Sequence, residues 1–447
     1  MLRPSSKFQG RAKGKVRKRW RLFHATDFQS LMYPCFIFCR IIGIFPYKIS
    51  ASTFEISRPR YITSTIVLCI FCITGLAIFY EMDISARIEF AGVPAALQAN
   101  CFFLLGTFIT IVTYILSAPR MRLLQIILDI SSRLPPETYE KLSRLIHAKD
   151  ILGFILLMAQ APNCYSENYL NSLVKIFALY IVLVVFQMDM LYMNCVCVLK
   201  ACFKKINDNL ANLRELVVND EPHLLRRIYH EQRNPFLLME LKALKKRHLM
   251  VSDAVQLLNV IFSLQLLATI VITFAEITFS LYFYIVQQQN GVALVNLDKQ
   301  IWFQYYITSI LYFSIKIALI VWACETAKDQ ALEIGTTVHE VLINTSDKQI
   351  KDELQLFSLQ ILHRENAFSA KGLNVDASLL TADIFVCLSC AIVLFPTNKH
   401  HIISDVNHYL IHTYCSTRSL SSCKAGVAQR QNALKNVGDG LNQLVST

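Results

Sequence analysis

The stretch "YIVLVVFQMDMLYMNCVCVLKACFKKINDNL" runs from Tyr180 to Leu210. Its first twenty residues carry one charge, Asp189. Lysines then appear at Lys200, Lys204 and Lys205. A bilayer core about 30 Å thick needs about twenty apolar residues in a helix. A soluble core has no need of so long an uncharged run. After Lys205 the pattern changes: Ile206, Leu210, Leu213 and Val217 recur at helical spacing, with polar residues between them. One segment therefore reads as a membrane span that continues into an amphipathic helix outside the bilayer.

The rest of the chain repeats this theme. Of 447 residues, 54% are hydrophobic and 17% charged, against about 25% charged in a typical soluble domain. Seven spans account for the apolar runs, at 61–80, 92–117, 148–162, 171–200, 256–286, 301–324 and 376–395. The third is short and holds Pro162 near its end. The stretch 31–46 is too short to span. With Pro34 and Pro46 at its ends and Arg40 inside, it reads as an interfacial or re-entrant helix. The fold class expected is all-α: a polytopic membrane protein of seven transmembrane helices.

Orientation follows from loop charge. Nine Lys or Arg precede Phe23, and the loops 118–147, 203–253 and 325–375 carry five, ten and five. The loops 81–91 and 287–300 carry one each, Arg87 and Lys299, and 163–170 carries none. By the positive-inside rule the N-terminus lies inside, an inverted topology relative to G-protein-coupled receptors. The net charge of +12 is then that of inside loops, and no nucleic-acid partner is expected. The basic start lacks a small-residue cleavage site, so no cleavable signal is expected.

The inside loops hold further amphipathic helices. Leu237, Leu241, Leu244 and Leu249 form one stripe; Val341, Ile350, Leu354, Phe357 and Leu362 form another. They are expected to pack as a cytoplasmic helical region; the alternative is separate helices lying on the lipid surface. The segments are therefore 1–24, a basic cytoplasmic start; 25–380, the helical membrane body up to the start of the last helix; 381–396, the end of the last span; and 397–447, a polar tail expected to be disordered.

Several chemistries are unsupported. Cys69/Cys72 and Cys387/Cys390 have C-x-x-C spacing but no second pair or His nearby, so no metal or redox site is expected. No phosphate-binding, zinc-protease or serine-hydrolase motif occurs, so no enzyme and no cofactor are expected. Asp-Arg-Tyr and Asn-Pro-x-x-Tyr are absent from the places a G-protein-coupled receptor would have them. No inverted repeat marks a secondary transporter. Asn344-Thr-Ser matches a glycosylation site but falls on the inside.

Charges inside the spans include Lys175, Asp189, Glu276 and Lys316. Such residues face a bundle interior or a wet cavity. Glu276 and Lys316 lie at similar depth on neighbouring spans and are candidates for a pair. At the outer ends of the fifth and sixth spans stand Phe279, Tyr282, Tyr284, Trp302, Tyr305 and Tyr306. Two readings stay open: an interfacial aromatic belt, or a pocket in which rings stack on a ligand and Gln98, Gln160 and Asn168 add hydrogen bonds.

At the last span, "AFSAKGLNVDASLL" (Ala367–Leu380) reads as a loop leading into a helix, with a bend at Gly372 and a cap at Asp376. The order Phe368, Ala370, Gly372, Leu373, Asp376, Leu379, Leu380 resembles the lead-in to the seventh helix of insect gustatory receptors. "FQSLMYPCFIFCRIIGIFPYKI" and the stretch quoted first are similar to that family's N-terminal phrase and fourth span. The resemblance covers about Phe23 to Leu380. It implies a tastant-gated cation channel of four like or unlike receptor subunits in the plasma membrane of chemosensory neurons. In that arrangement the last helix lines the pore and inside helices anchor the subunits. One departure stands out. The family's T-Y-x-x-x-x-x-Q-F phrase would fall on Leu388, Ser389, Phe395 and Pro396, and none of the four matches. The sequence from about Asp383 onward looks unrelated to the family.

Overall fold

A computed structural model describes residues 22–50, 53–85, 90, 92–166, 172–218, 227–289, 297–345 and 347–381. Five of its helices are long and apolar enough to cross a bilayer. They are α2 (Arg58–Phe79, extended by a π-helical turn to Ile84), α3 (Val93–Ile115), α6 (Ser172–Val218), α7 (Arg227–Gln289) and α8 (Leu297–Asn344). They contain the spans expected at 61–80, 256–286 and 301–324 and cover nearly all of those expected at 92–117 and 171–200. The expected third span lies within α5 (Pro136–Ser166), which is not among the five. The last span starts as helix at Ala377 and leaves the described residues after Thr381. The tail from 397 and the basic segment before residue 22 lie outside the described residues.

At 1.5 Å per residue, the 47 residues of α6 extend about 70 Å. That is more than twice the apolar thickness of a bilayer. α7 and α8 are longer still. Their extensions pack together with α4 (Ser117–Ser131) and α9 (Lys348–His363). Ile206, Leu210, Leu213, Leu237, Leu241, Leu244, Val341, Ile350, Leu354 and Phe357 are all buried in one core. Their amphipathic stripes therefore cover one another. Leu249 is half-buried, and the Val217 side chain lies outside the described residues. Leu362 departs from its expected stripe: it is 75% exposed, one residue before α9 ends at His363.

The segment 31–46 also differs from expectation. Helix α1 (Phe28–Ile41) starts upstream of Pro34 because Asp27 and Ser30 form a reciprocal cap. Ser30 N–H donates to Asp27 Oδ1 at 2.7 Å, and Asp27 N–H donates to Ser30 Oγ at 3.2 Å. Pro34 therefore sits inside the helix. The apolar face, Phe28, Leu31, Met32, Cys35, Phe36 and Cys39, packs on α4, α5 and α6 and not on lipid. After α1 the chain makes a short hairpin, β1 (Tyr47–Ser50) with β2 (Thr53–Ile56). Phe36 stacks on Phe45 at 4.9 Å and meets Phe54 edge-on at 5.8 Å.

Two close contacts set the bundle. Arg120, near the start of α4, is buried; its Nη1 donates to Thr113 O at 2.9 Å, and its guanidinium lies 5.2 Å above the Phe262 ring. Burial lowers its pKa to about 10, so it stays charged at neutral pH. The second contact is between α3 and α6. A Cβ at Gly106 would fall well inside van der Waals contact with Ile181 Cγ2, on a stiff β-branched side chain. Small residues let helices approach closely in membranes. Gly106→Val is expected to destabilise the bundle by about 1–3 kcal/mol, read as a lower melting temperature of the solubilised protein. Unchanged melting would mean that α3 and α6 lie further apart than described.

Candidate functional site

Helices α7 and α8 meet along a polar and aromatic seam. On α7, Thr269, Thr273, Glu276, Ser280 and Phe283 follow three- and four-residue steps, which is one helix face. On α8, Tyr306, Ser309, Phe313 and Lys316 do the same. From one end of the seam, Phe283 stacks on Tyr306 with centroids 6.0 Å apart. Next, Ser280 Oγ donates to Ser309 Oγ at 3.2 Å. Deeper, Glu276 Oε2 accepts from Gln98 Nε2 of α3 at 2.8 Å. Deepest, Lys316 Nζ lies 3.7 Å from Asp189 Oδ2 of α6, and Thr269 Oγ1 donates to Asp189 Oδ1 at 3.1 Å. The Lys316 ammonium also sits 5.0 Å from the Phe313 ring centroid. The Asp189 and Lys316 side chains are 0% and 3% exposed.

This geometry sorts the residues singled out in the sequence. Glu276 and Lys316 do not form the ion pair expected of them. Lys316 turns to Asp189, and Glu276 takes the neutral Gln98 amide. Lys175 lies half-buried at the start of α6, about 21 Å along the axis from Asp189, and does not join the cluster. Gln160 Nε2 donates to Thr308 O at 3.4 Å, which ties α5 to α8 beside the seam. Tyr305 and Tyr282 place their rings 5.0 and 5.2 Å from Tyr306 and Phe283. Tyr284 is half-buried. The side chain of Trp302 and residue Asn168 lie outside the described residues. Phe283, Ser280 and Ser309 escaped the sequence reading; the four-residue step from Glu276 was the available signal.

The lead-in to the last helix forms a second constellation. Strands β3 (Ser369–Ala370) and β4 (Leu373–Asn374) pair around Lys371 and Gly372. Both turn residues have positive φ, 52° and 87°, as a two-residue hairpin with the right-handed strand twist requires. Asp376 caps the helix: Ser378 N–H donates to its Oδ1 at 3.1 Å. Phe368, Ala370 and Leu379 are buried and Leu380 is half-buried. Asn259 of α7, which the sequence did not mark, pins the hairpin. Its Nδ2 donates to Ala367 O at 2.7 Å and its Oδ1 accepts from Ser369 N–H at 3.3 Å. A cavity of about 480 Å³ lies between α8, α9 and this hairpin. Two cations on its wall are already paired: Arg364 with Asp253 at 2.9 Å, Lys328 with Glu325 at 3.7 Å. Among the described residues no group of three or more His, Cys, Asp or Glu is placed to hold a metal ion.

A bundle of helices long and apolar enough to cross a bilayer, with long packed extensions and a buried polar seam, defines a polytopic helical membrane protein. The 7tm Chemosensory receptor family matches residues 32–395, and the chain belongs to that family. The match runs to residue 395, so it includes the segment after Asp383 that the sequence reading set apart from the family. Two curated relatives of Drosophila melanogaster are similar over part of the chain. Putative gustatory receptor 28a is 24% identical over 168 residues, 37% of either chain. Putative gustatory receptor 28b is 29% identical over 134 residues, 30% of this chain and 28% of its own. The chain thus spans about a third of the length of these relatives. The fold is similar to that of the insect olfactory receptor OR5 from Machilis hrabei. The TM-score is 0.63 at 12% identity, over 83% of this chain and 98% of that one. The structure of that receptor in complex with eugenol gives 0.61 at 12% identity, over 82% and 97%.

Proposed function

We propose that this chain is a subunit of a cation channel gated by a small-molecule tastant, in the plasma membrane of chemosensory neurons. The observation that carries the reading is the family match across 364 residues. It is joined by a buried seam of charges and rings at the α7–α8 contact, where a ligand would bias helix packing. The solved neighbour of similar fold is in complex with eugenol, a small aromatic molecule, and the rings along the seam here offer partners for a ligand of that chemistry. Seven spans cross the bilayer with the N-terminus inside, as the loop charges favour. Four such chains assemble around the last helix, with like or other gustatory receptors as partners. α9 supports this: Leu356, Leu359 and Leu362 are exposed along one flank, and Ile350, Leu354 and Phe357 are buried along the other. A second subunit would cover the exposed flank.

The orientation is the most direct test. A tag fused before Met1 is expected to be reached by antibody only after cells are permeabilised. Labelling in intact cells would overturn both the orientation and the channel architecture built on it.

A further inference from the structure

The seam holds two carboxylates and one cation. Lys316 lies against Asp189. Among the described residues no Lys, Arg or His comes within ion-pair distance of Glu276. Its hydrogen-bond partner is the neutral Gln98 amide at 2.8 Å, and Glu276 is 8% exposed. A carboxylate taken out of water costs several kcal/mol unless a positive charge meets it. One neutral donor offsets only part of that cost. Lys316 acts electrostatically on both carboxylates, but one cation cannot balance two negative charges, so the seam is short of one positive charge.

The next turns of the same face supply the chemistry that accepts one. Ser280 and Ser309 follow Glu276, then Phe283 stacks on Tyr306, with Tyr282 and Tyr305 beside them. Ring faces carry negative charge density and attract ammonium groups. Aromatic walls next to a carboxylate are the usual surroundings of a bound quaternary nitrogen. A neutral sugar would leave Glu276 uncompensated.

We propose that the seam beside Glu276 takes a cationic, nitrogen-bearing organic ligand, with the Glu276 carboxylate as counter-ion and the Phe283 and Tyr306 rings as its apolar wall. This rests on the ligand-pocket reading of the seam and adds the charge class of the ligand. The competing account has Glu276 neutralised by a proton, in which case the site prefers uncharged ligands.

The test compares two probes of one shape on the purified full chain in nanodiscs: benzyltrimethylammonium and neopentylbenzene, in which carbon replaces the charged nitrogen. Binding is read as ligand-dependent thermal stabilisation. The ammonium is expected to bind at least about tenfold more tightly, the scale of one desolvated cation–π contact with a counter-ion. Glu276→Gln is expected to erase the difference, Glu276→Asp to keep part of it, and Tyr306→Ala to weaken both probes. Equal binding to the unmodified chain, lost for both probes in Tyr306→Ala, would overturn the charge inference and leave the pocket standing. Binding untouched by Glu276→Gln and Tyr306→Ala would overturn both. So would the absence of binding by either probe to the folded protein. The comparison on the unmodified chain needs no variant, so a failure of Glu276→Gln to fold does not remove the test.

Discussion

Expressed alone, the chain is expected to carry little or no tastant-gated current, and a version that continues from Ala382 with the family phrase is expected to conduct. This expectation comes from the last span. A pore is built from one helix of every subunit, and its conduction depends on the polar groups that line it. The family phrase puts Thr, Tyr, Gln and Phe where this chain has Leu388, Ser389, Phe395 and Pro396. Two polar side chains are replaced by apolar ones, a third by the small Ser389, and a proline stops the run. Up to Leu380 the chain keeps the lead-in: the hairpin, the Asp376 cap and buried Leu379 are in place. The expected loss is therefore local and should be repaired locally. Whole-cell recordings of both versions, matched for surface expression, decide it. A robust current from the unaltered chain would show that the four residues are dispensable.

Lys316→Met is expected to cost about 3–5 kcal/mol by leaving Asp189 buried without its cation. Total stabilities are about 5–15 kcal/mol, so most of the protein should fail to reach the surface. Asp189→Asn with Lys316→Met together is expected to recover most of it. Asparagine keeps the shape of the aspartate and still accepts from Thr269, whose hydroxyl lies 3.1 Å from Asp189 Oδ1, and methionine fills the lysine stem's place. Asp189→Asn alone should cost less than Lys316→Met. The freed ammonium retains the Phe313 and Tyr312 rings at 5.0 and 5.9 Å. Surface biotinylation and the melting temperature of the solubilised protein measure each variant. Normal expression of Lys316→Met would mean that the pair contributes nothing to the fold.

Amino-acid order alone determined the elements whose signal is local. Hydropathy over about twenty residues places α2, α3, α6, α7 and α8, because each span must bury its own backbone polar groups inside one helix. Three- and four-residue spacing marks the extensions of α6 and α7, and Asp376 and Gly372 announce the cap and turn before the last helix. α5 is less legible in the sequence, because its apolar stretch is short and follows a charged half.

Partner choice belonged to the tertiary structure. Each residue turns a helix face by about 100°, so a small rotation of α8 decides whether Lys316 meets Asp189 or Glu276. Both partners are far from it in sequence, and nothing local records that rotation. The same holds for α1. Its apolar face reads alike for lipid and for protein, and only the presence of α4, α5 and α6 beside it makes it a core helix. Asn259 is one polar residue on a long helix until the hairpin at Ala367 and Ser369 arrives to use both ends of its amide. Side chains that act within one turn can be read from sequence. Those that act between helices are set by packing, because burial and pairing are properties of the neighbour as much as of the residue.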